Sequence, residues 1–158
     1  FIEAGETIQT TTVRQQLQAA VLYPLQDKLH DLLQKYFAEG RIDAISGVIL
    51  CQETLIGQDT ADLTFLDKKA VLTIRCKGKL VTHQVTEVTD INNLVYKIAS
   101  ICEEYNIKQD DLKVSLSGFC ITSETITELK SFFPKMTVPG SEQFSSFTLL
   151  SKLISCAS

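Results

Sequence analysis

A glycine directly after an apolar stretch is the first feature of this sequence that could take part in chemistry. Gly118 ends the stretch "KVSLSG" and precedes the bulky Phe119. A glycine at the end of a strand allows a close backbone approach, and its N–H groups can then bind a phosphate. The commoner role is a simple turn between a strand and a helix, and we favour that interpretation here.

Acidic residues in the middle of the chain raise the possibility of metal-dependent hydrolysis. A two-metal nuclease needs three or four carboxylates that converge on one point. Asp67 falls in a predicted turn and Asp90 is placed to cap a helix, so the spacing indicates no convergent set. We therefore predict no metal site. The acids considered are Asp62, Asp67, Glu87 and Asp90.

Cys76 and His83 could face each other across a predicted hairpin as a nucleophile and its base. No third residue that would orient the imidazole is evident, so an ordinary core thiol and a half-exposed histidine are the better interpretation. The chain has 5 cysteines, no C-x-x-C pair and 2 histidines. This usage is typical of buried thiols in a reducing compartment and predicts a cytoplasmic protein without a zinc site.

A run of cations without an intervening acid lies between Lys68 and Lys79. Such a run is usually a solvated hairpin edge that blocks edge-to-edge pairing of sheets. The alternative is a docking patch for an acidic partner or a phosphate. The cations are Lys68, Lys69, Arg75, Lys77 and Lys79.

Composition and charge exclude several classes of partner. The 158 residues are 44% hydrophobic with a net charge of −4, which is typical of a folded globular domain. A negative chain offers no overall attraction to nucleic acid or to an anionic membrane, and no apolar run is long enough to span one. We therefore expect neither as a partner.

The candidate residues are positioned by a predicted sheet. Alternating apolar residues predict strands over Ala61–Leu66, Ala70–Lys77 and Leu80–Val88, with a turn at Gly78, so these strands form an antiparallel meander. Asp90 then caps a helix with apolar residues at helical spacing.

Later segments alternate between strand and helix. "LKVSLS" is a predicted buried strand, Thr122 or Ser123 caps a helix that Pro134 ends, and "KMTV" is a short strand. A last amphipathic helix is predicted from Phe144 to Ile154. The order β-β-β-α-β-α-β-α predicts an α/β fold with one mixed sheet flanked by helices.

The N-terminal part has a different pattern. Apolar residues at helical spacing predict a helix over Thr12–Ala38 that Pro24 breaks into two pieces. "AISGVIL" predicts a strand, and residues 1–11 a loose tail. We predict a helical segment over 1–43 and an α/β domain over 44–158, with the helical face packed on the domain, on a missing lobe or on a second chain.

The predicted order from residue 44 to 158 resembles the ribonuclease H-like half-domain of the actin, Hsp70 and sugar-kinase superfamily. The stretches "DLTFLDKKAVLTIRCKGKLVTHQV", "DINNLVYKI", "KVSLSGF" and "FFPKMTVP" are also similar to the second lobe of uncharacterised, degenerate actin-like proteins from Bacteroidetes. The resemblance implies a bacterial protein. Because two such lobes clamp ATP in that superfamily, one lobe beginning at Phe1 is expected to be a fragment or a reduced relative.

The resemblance also locates the corners where ATP would bind. It implies that Asp67 stands where a carboxylate holds Mg²⁺ through water, and Gly118 where a double glycine packs against adenosine. Lys68 and Lys69 occupy positions that require glycine, and Phe119 stands in place of the second glycine. We therefore expect no cofactor.

The function that these residues favour is a non-catalytic protein-interaction or scaffold domain whose partner is another protein, a second lobe or a second copy. The alternative is an ATP-binding lobe of an actin-like ATPase that uses Asp67 and Gly118. A third possibility is an unrelated α/β sensor or adaptor, which the order of the strands in the sheet would distinguish.

Overall fold

A computed structural model of the chain describes residues 3–13, 19–40, 42, 44–51, 57–119 and 121–138. The chain divides into two compact units, residues 1–52 and residues 53–158. The predicted last helix, Phe144–Ile154, lies outside the described residues.

The first unit contains an antiparallel hairpin and two helices among its described residues. Where the structure describes these residues, the predictions of a helix from Thr12 to Pro24 and of a loose tail before it were wrong, because residues 6–13 and 19–24 lie in two strands. The helical prediction holds only for the last part of the segment. The elements are β1 (Glu6–Val13), β2 (Ala19–Gln26), α1 (Asp27–Tyr36) and α2 (Ile45–Leu50).

The error has a physical cause in β2. Val21, Tyr23 and Leu25 alternate along the strand and are all partly buried, although their spacing also fits one side of a helix. Pro24 pairs with Ile8 in a sheet that has two strands among the described residues, and a proline can face the free edge of such a sheet. Tyr23 Oη donates a 2.9 Å hydrogen bond to the carbonyl oxygen of Ile42.

The strand predicted for "AISGVIL" was also wrong, because Ile45–Leu50 forms the short helix α2. Four consecutive residues, Gly47 to Leu50, are buried. A short apolar run without alternation fits a buried strand and a buried helix equally well, so periodicity could not separate the two.

The second unit confirms the predicted α/β fold. Its described elements follow the predicted order, and its five-stranded mixed sheet has the order β5-β4-β3-β6-β7. β4 runs antiparallel to β3 and β5, whereas β6 and β7 run parallel to β3. The elements are β3 (Thr60–Leu66), β4 (Lys69–Cys76), β5 (Lys79–Glu87), α3 (Ile91–Glu104), β6 (Lys113–Gly118), α4 (Ser123–Phe132) and β7 (Met136–Thr137).

Both predicted helix caps are confirmed. The Asp90 carboxylate accepts a 3.0 Å hydrogen bond from the backbone N–H of Asn92 at the start of α3. The Thr122 hydroxyl accepts one of 3.2 Å from the N–H of Thr125 at the start of α4. Each side chain satisfies a donor that the helix cannot satisfy itself, so the caps set where the helices begin.

The core of the second unit lies between one face of the sheet and helices α3 and α4. Alternate residues of β3 and β4 pack there against Leu94, Ile98 and Leu129, all of which are buried. The alternation follows directly from the two-residue period of a strand. The strand residues of this face are Ala61, Leu63, Phe65, Ala70, Leu72 and Ile74.

The second face of the same sheet is polar and yet largely buried. Ser115, Asp62, Thr73 and His83 lie in register across four adjacent strands, β6, β3, β4 and β5. The strands β3, β6 and β4 contribute the buried polar residues Thr64, Ser117, Thr73 and Arg75. Buried polar groups need hydrogen-bond partners, and this face supplies several of them within the sheet.

Candidate functional site

The two corners predicted from the sequence, the turn at Asp67 and the strand end at Gly118, lie at the same end of the sheet. β3 and β6 are parallel, and Phe65 near the end of β3 pairs with Gly118 at the end of β6. The turn that contains Asp67 follows β3 by one residue. The carboxyl ends of parallel strands lie at the same end of a sheet. The fold therefore brings Asp67 and Gly118 to the same end of this sheet, where ligands of open α/β sheets usually bind.

Gly118 has a structural reason to be glycine. Its φ is +111°, and a Cβ added to it would stand 2.1 Å from the carbonyl oxygen of Phe65. The next N–H group, that of Phe119, donates a 2.9 Å hydrogen bond to the same oxygen. The backbone at this corner is therefore occupied by contacts with β3.

The other corner is a tight hairpin turn. Leu66 pairs with Lys69, which leaves only Asp67 and Lys68 between the strands, and Asp67 has a φ of +54°. All three residues from Asp67 to Lys69 are exposed. The Lys68 carbonyl accepts a 2.8 Å hydrogen bond from the N–H of Val88. A phosphate nest needs successive N–H groups that point into one concavity, and a two-residue turn with lysine side chains is a poor frame for it.

The five cations predicted to form one cluster are separated by the fold. Lys68 and Lys69 lie at one end of β4, and Lys77 and Lys79 lie at the other. β4 is eight residues long, so these ends are roughly 25 Å apart at the usual rise of a strand. The lysines are exposed and form two separate pairs.

Arg75 belongs to neither of these exposed pairs. Its side chain is only 2% exposed, and its Nη1 atom lies 2.8 Å from Asp62 Oδ2. The expectation that Arg75 belongs to a solvated basic edge therefore needs correction: alternation turns it onto the buried second face, where it forms an ion pair with a neighbouring strand.

Two further polar pairs lie on this second face. Thr64 and Ser117 share a hydrogen bond of 2.9 Å between their hydroxyls, and Thr73 Oγ1 lies 2.9 Å from His83 Nδ1. Thr64 and Ser117 were not predicted from the sequence as site residues. Alternation does place Asp62 and Thr64 opposite the apolar face of β3, but it does not show that their face is buried.

Two nitrogen atoms on this face, Arg75 Nη2 and His83 Nε2, are buried and have no hydrogen-bond partner among the described residues. Burial, and next the positive charge of Arg75, lowers the pKa of His83 below its usual value. A second cation beside Arg75 is unfavourable, so the folded chain favours a neutral imidazole.

Cys76 and His83 do not form a catalytic pair in the described structure. Thr73 is the residue of β4 that faces His83, while Cys76 pairs with Lys79 at the far end of the hairpin. Burial, and next the Asp59 carboxylate, raises the pKa of the Cys76 thiol. A raised pKa leaves less thiolate, which is the reverse of what a nucleophile requires.

The acids considered for a nuclease have other positions. Asp62 is paired with Arg75, Asp90 caps α3, Asp67 lies in the turn and Glu87 ends β5. Within the described ranges, no group of three or more histidine, cysteine, aspartate or glutamate side chains is placed to hold a metal ion. Of the helices in those same ranges, none is long and apolar enough to cross a membrane.

The element order and the sheet order β5-β4-β3-β6-β7 define an actin-like, ribonuclease H-like fold. The chain is similar to a solved structure from Bacteroides thetaiotaomicron, described as a protein with an actin-like ATPase fold and unknown function. The TM-score is 0.75 at 13% sequence identity, and the match covers 98% of this chain and 60% of that one. The resemblance noted in the sequence is thereby confirmed at the level of the fold, and this chain spans less than two thirds of its neighbour's length.

Comparison with protein-family models finds no match. A search of curated proteins likewise finds no match.

Proposed function

We propose that this chain is a non-catalytic protein-interaction or scaffold domain with a degenerate actin-like fold. The observation that carries the proposal is the contact between Gly118 and Phe65. This contact explains why a glycine stands at the end of β6 without requiring a nucleotide. A glycine retained for a ligand would leave room above its backbone, and here a β3 carbonyl fills that room.

The turn at Asp67 supports the same proposal. Lys68 and Lys69 carry long side chains at the corner where a triphosphate would need bare backbone. Exposed lysines attract phosphate only weakly and without geometric selection, because their charge is solvated. The turn therefore lacks the built frame that Mg-ATP hydrolysis requires.

Exposed apolar residues of the first unit support an interaction role. α1 has no buried residue in the described structure, although its sequence is strongly amphipathic. A single exposed apolar residue is ordinary, but several of them together on one element often mark a surface that binds another molecule. The exposed residues are Leu29, Leu32, Tyr36 and the following Phe37.

The second candidate function is an ATP-binding lobe that uses Asp67 and Gly118. One observation favours it: because β3 and β6 are parallel, both residues lie at the same end of the sheet. In this alternative, Asp67 would hold Mg²⁺ through water and the backbone near Gly118 would contact the nucleotide.

Thermal unfolding with and without millimolar Mg-ATP tests the proposal. We expect the same melting temperature in both conditions. Binding of ATP to the folded state alone would raise it by about 2–4 °C for each kcal/mol of linkage in a chain of this size. A rise that Asp67→Ala abolishes, and that the control Asp110→Ala keeps, would overturn the proposal in favour of the ATP-binding lobe.

A further inference from the structure

Within the described part of the second unit, the outer edge of β5 is the longest open strand edge of the sheet. β5 has nine residues, whereas the strand at the opposite edge, β7, has two. Among the described residues, β5 pairs with β4 and with no other strand. An open edge presents unpaired N–H and C=O groups that another strand can bind.

The hydrogen-bond pattern shows which backbone groups face outward. The Val88 N–H donates to the Lys68 carbonyl, so Val88 and every second residue before it bond to β4. The intervening residues direct their N–H and C=O groups away from β4. These residues are His83, Val85 and Glu87.

Only half of this edge is protected against pairing. The register of β4 and β5 shifts between Ile74 and Arg75, which places an irregularity at Val81, and Lys79 is exposed at the same end. Bulges and edge lysines are common devices against edge pairing. The segment from Thr82 to Glu87 has neither of them, contains no proline, and carries Val85 with 56% of its surface exposed.

We propose that β5 pairs antiparallel with β5 of a second copy of this chain, about a two-fold axis at Val85, and joins the two sheets into one. This inference deepens the proposed interaction function by naming the partner. In this register the three outward-facing residues all find partners: His83 lies opposite Glu87 of the second copy, and Val85 lies opposite its own symmetry mate. Each such pair exchanges two backbone hydrogen bonds.

Self-complementarity favours this register over the registers with an axis at His83 or at Glu87. An axis at Val85 sets an apolar side chain opposite its like and keeps the two Glu87 carboxylates apart from each other. An axis at His83 would place two imidazoles together, and an axis at Glu87 would place two carboxylates together, which is unfavourable. An isologous contact of this kind closes after two copies and does not extend into a fibre.

Sedimentation of the full chain over a range of concentrations tests the pairing. We expect a reversible dimer for the unaltered chain, and a dimer dissociation constant raised about tenfold or more by either Val85→Lys or Val85→Glu, since each sets like charges together at the axis. Val85→Thr, which stays β-branched and uncharged, is the matched control and should keep the dimer.

An equal mixture of the Val85→Lys and Val85→Glu chains provides the decisive arm. We expect a heterodimer to form in the mixture at a concentration where each variant alone is a folded monomer, because opposite charges then meet at the axis. A loss of folding cannot produce this recovery. A monomeric unaltered chain, a dimer that ignores both charges, or a mixture that stays monomeric would each overturn the pairing.

The two proposals fail in different experiments. A melting temperature raised by Mg-ATP through Asp67 would overturn the proposed function, whatever the state of assembly. A monomer whose melting temperature ignores Mg-ATP would overturn the β5 pairing alone.

Discussion

Gly118 and Phe65 approach so closely through their backbones that a Cβ on the glycine would lie 2.1 Å from the Phe65 carbonyl oxygen and 2.6 Å from its nitrogen. The left-handed φ of +111° adds a second restriction on any side chain. Both restrictions limit which residue can stand at Gly118, where the neighbouring strands β3 and β6 meet at the centre of the sheet.

We expect Gly118→Ala to lower the free energy of unfolding by about 3 kcal/mol or more, because strain in φ and a backbone clash act together. Urea unfolding followed by circular dichroism measures it. Gly57→Ala is the control: its φ is +80° and nothing lies within 4 Å of the added Cβ, so it should lose only the strain, about 1–2 kcal/mol. Equal losses in the two variants would contradict the close contact.

The buried ion pair on the second face gives another expectation. Asp62→Ala leaves the Arg75 charge buried without its carboxylate, and we expect a loss of about 3 kcal/mol in unfolding free energy. Replacing both residues with apolar ones, Asp62→Leu with Arg75→Met, should restore most of that loss because no charge is then buried.

The ion pair between Lys135 and Asp111 is the matched control for this test, because it joins exposed side chains at 2.6 Å. Solvent screens such pairs, so Asp111→Ala should change the urea midpoint little. If the double replacement is as unstable as Asp62→Ala alone, the loss does not come from an unpaired buried charge.

The lowered pKa of His83 predicts a loss of stability in mild acid. The unfolded chain takes up a proton near the ordinary pKa of 6.5, while the folded chain resists protonation until a lower pH. The stabilisation is therefore complete above pH 6.5 and is lost as the pH falls through the folded pKa.

Urea unfolding at several pH values, compared between the unaltered chain and His83→Asn, isolates this contribution. Asparagine can keep a polar partner for Thr73 but does not titrate. We expect a shallower fall of unfolding free energy below pH 6.5 in the variant. Identical slopes would show that His83 accepts its proton equally well in both states.

Two leucines on different helices test the contrast between the units. Leu32 on α1 is 52% exposed, whereas Leu129 on α4 is fully buried. Leu129→Ala should lower the free energy of unfolding by about 2–5 kcal/mol, since it leaves a cavity. Leu32→Ala should change it by about 0.5 kcal/mol or less, as at other exposed sites. A large loss at Leu32 would mean that α1 packs against the folded chain.

Local signals predicted most of the second unit correctly. Alternation located β3, β4 and β5 to within a residue or two, and Asp90 and Thr122 marked the starts of two helices. β2 was missed because its apolar spacing satisfies both periods, and β1 because its residues are mostly polar and lack a strong period. Only the pairing between β1 and β2 shows that both segments are strands.

The candidate site shows the same division. Residue types at the two corners already indicated a poor phosphate site, since lysine and phenylalanine stand where glycine is needed. The sequence did not show that Gly118 contacts Phe65, that Arg75 is buried against Asp62, or that the lysines separate to opposite ends of β4.

The sequence by itself determined the periods, caps and turns of this protein, because those depend on residues a few positions apart. Tertiary structure alone decided which face of the sheet is buried and which residues meet across strands. Gly118 and Phe65 are far apart in the chain, and their contact exists only because β3 and β6 pair. Such pairing depends on the packing of the whole unit, which no local pattern encodes.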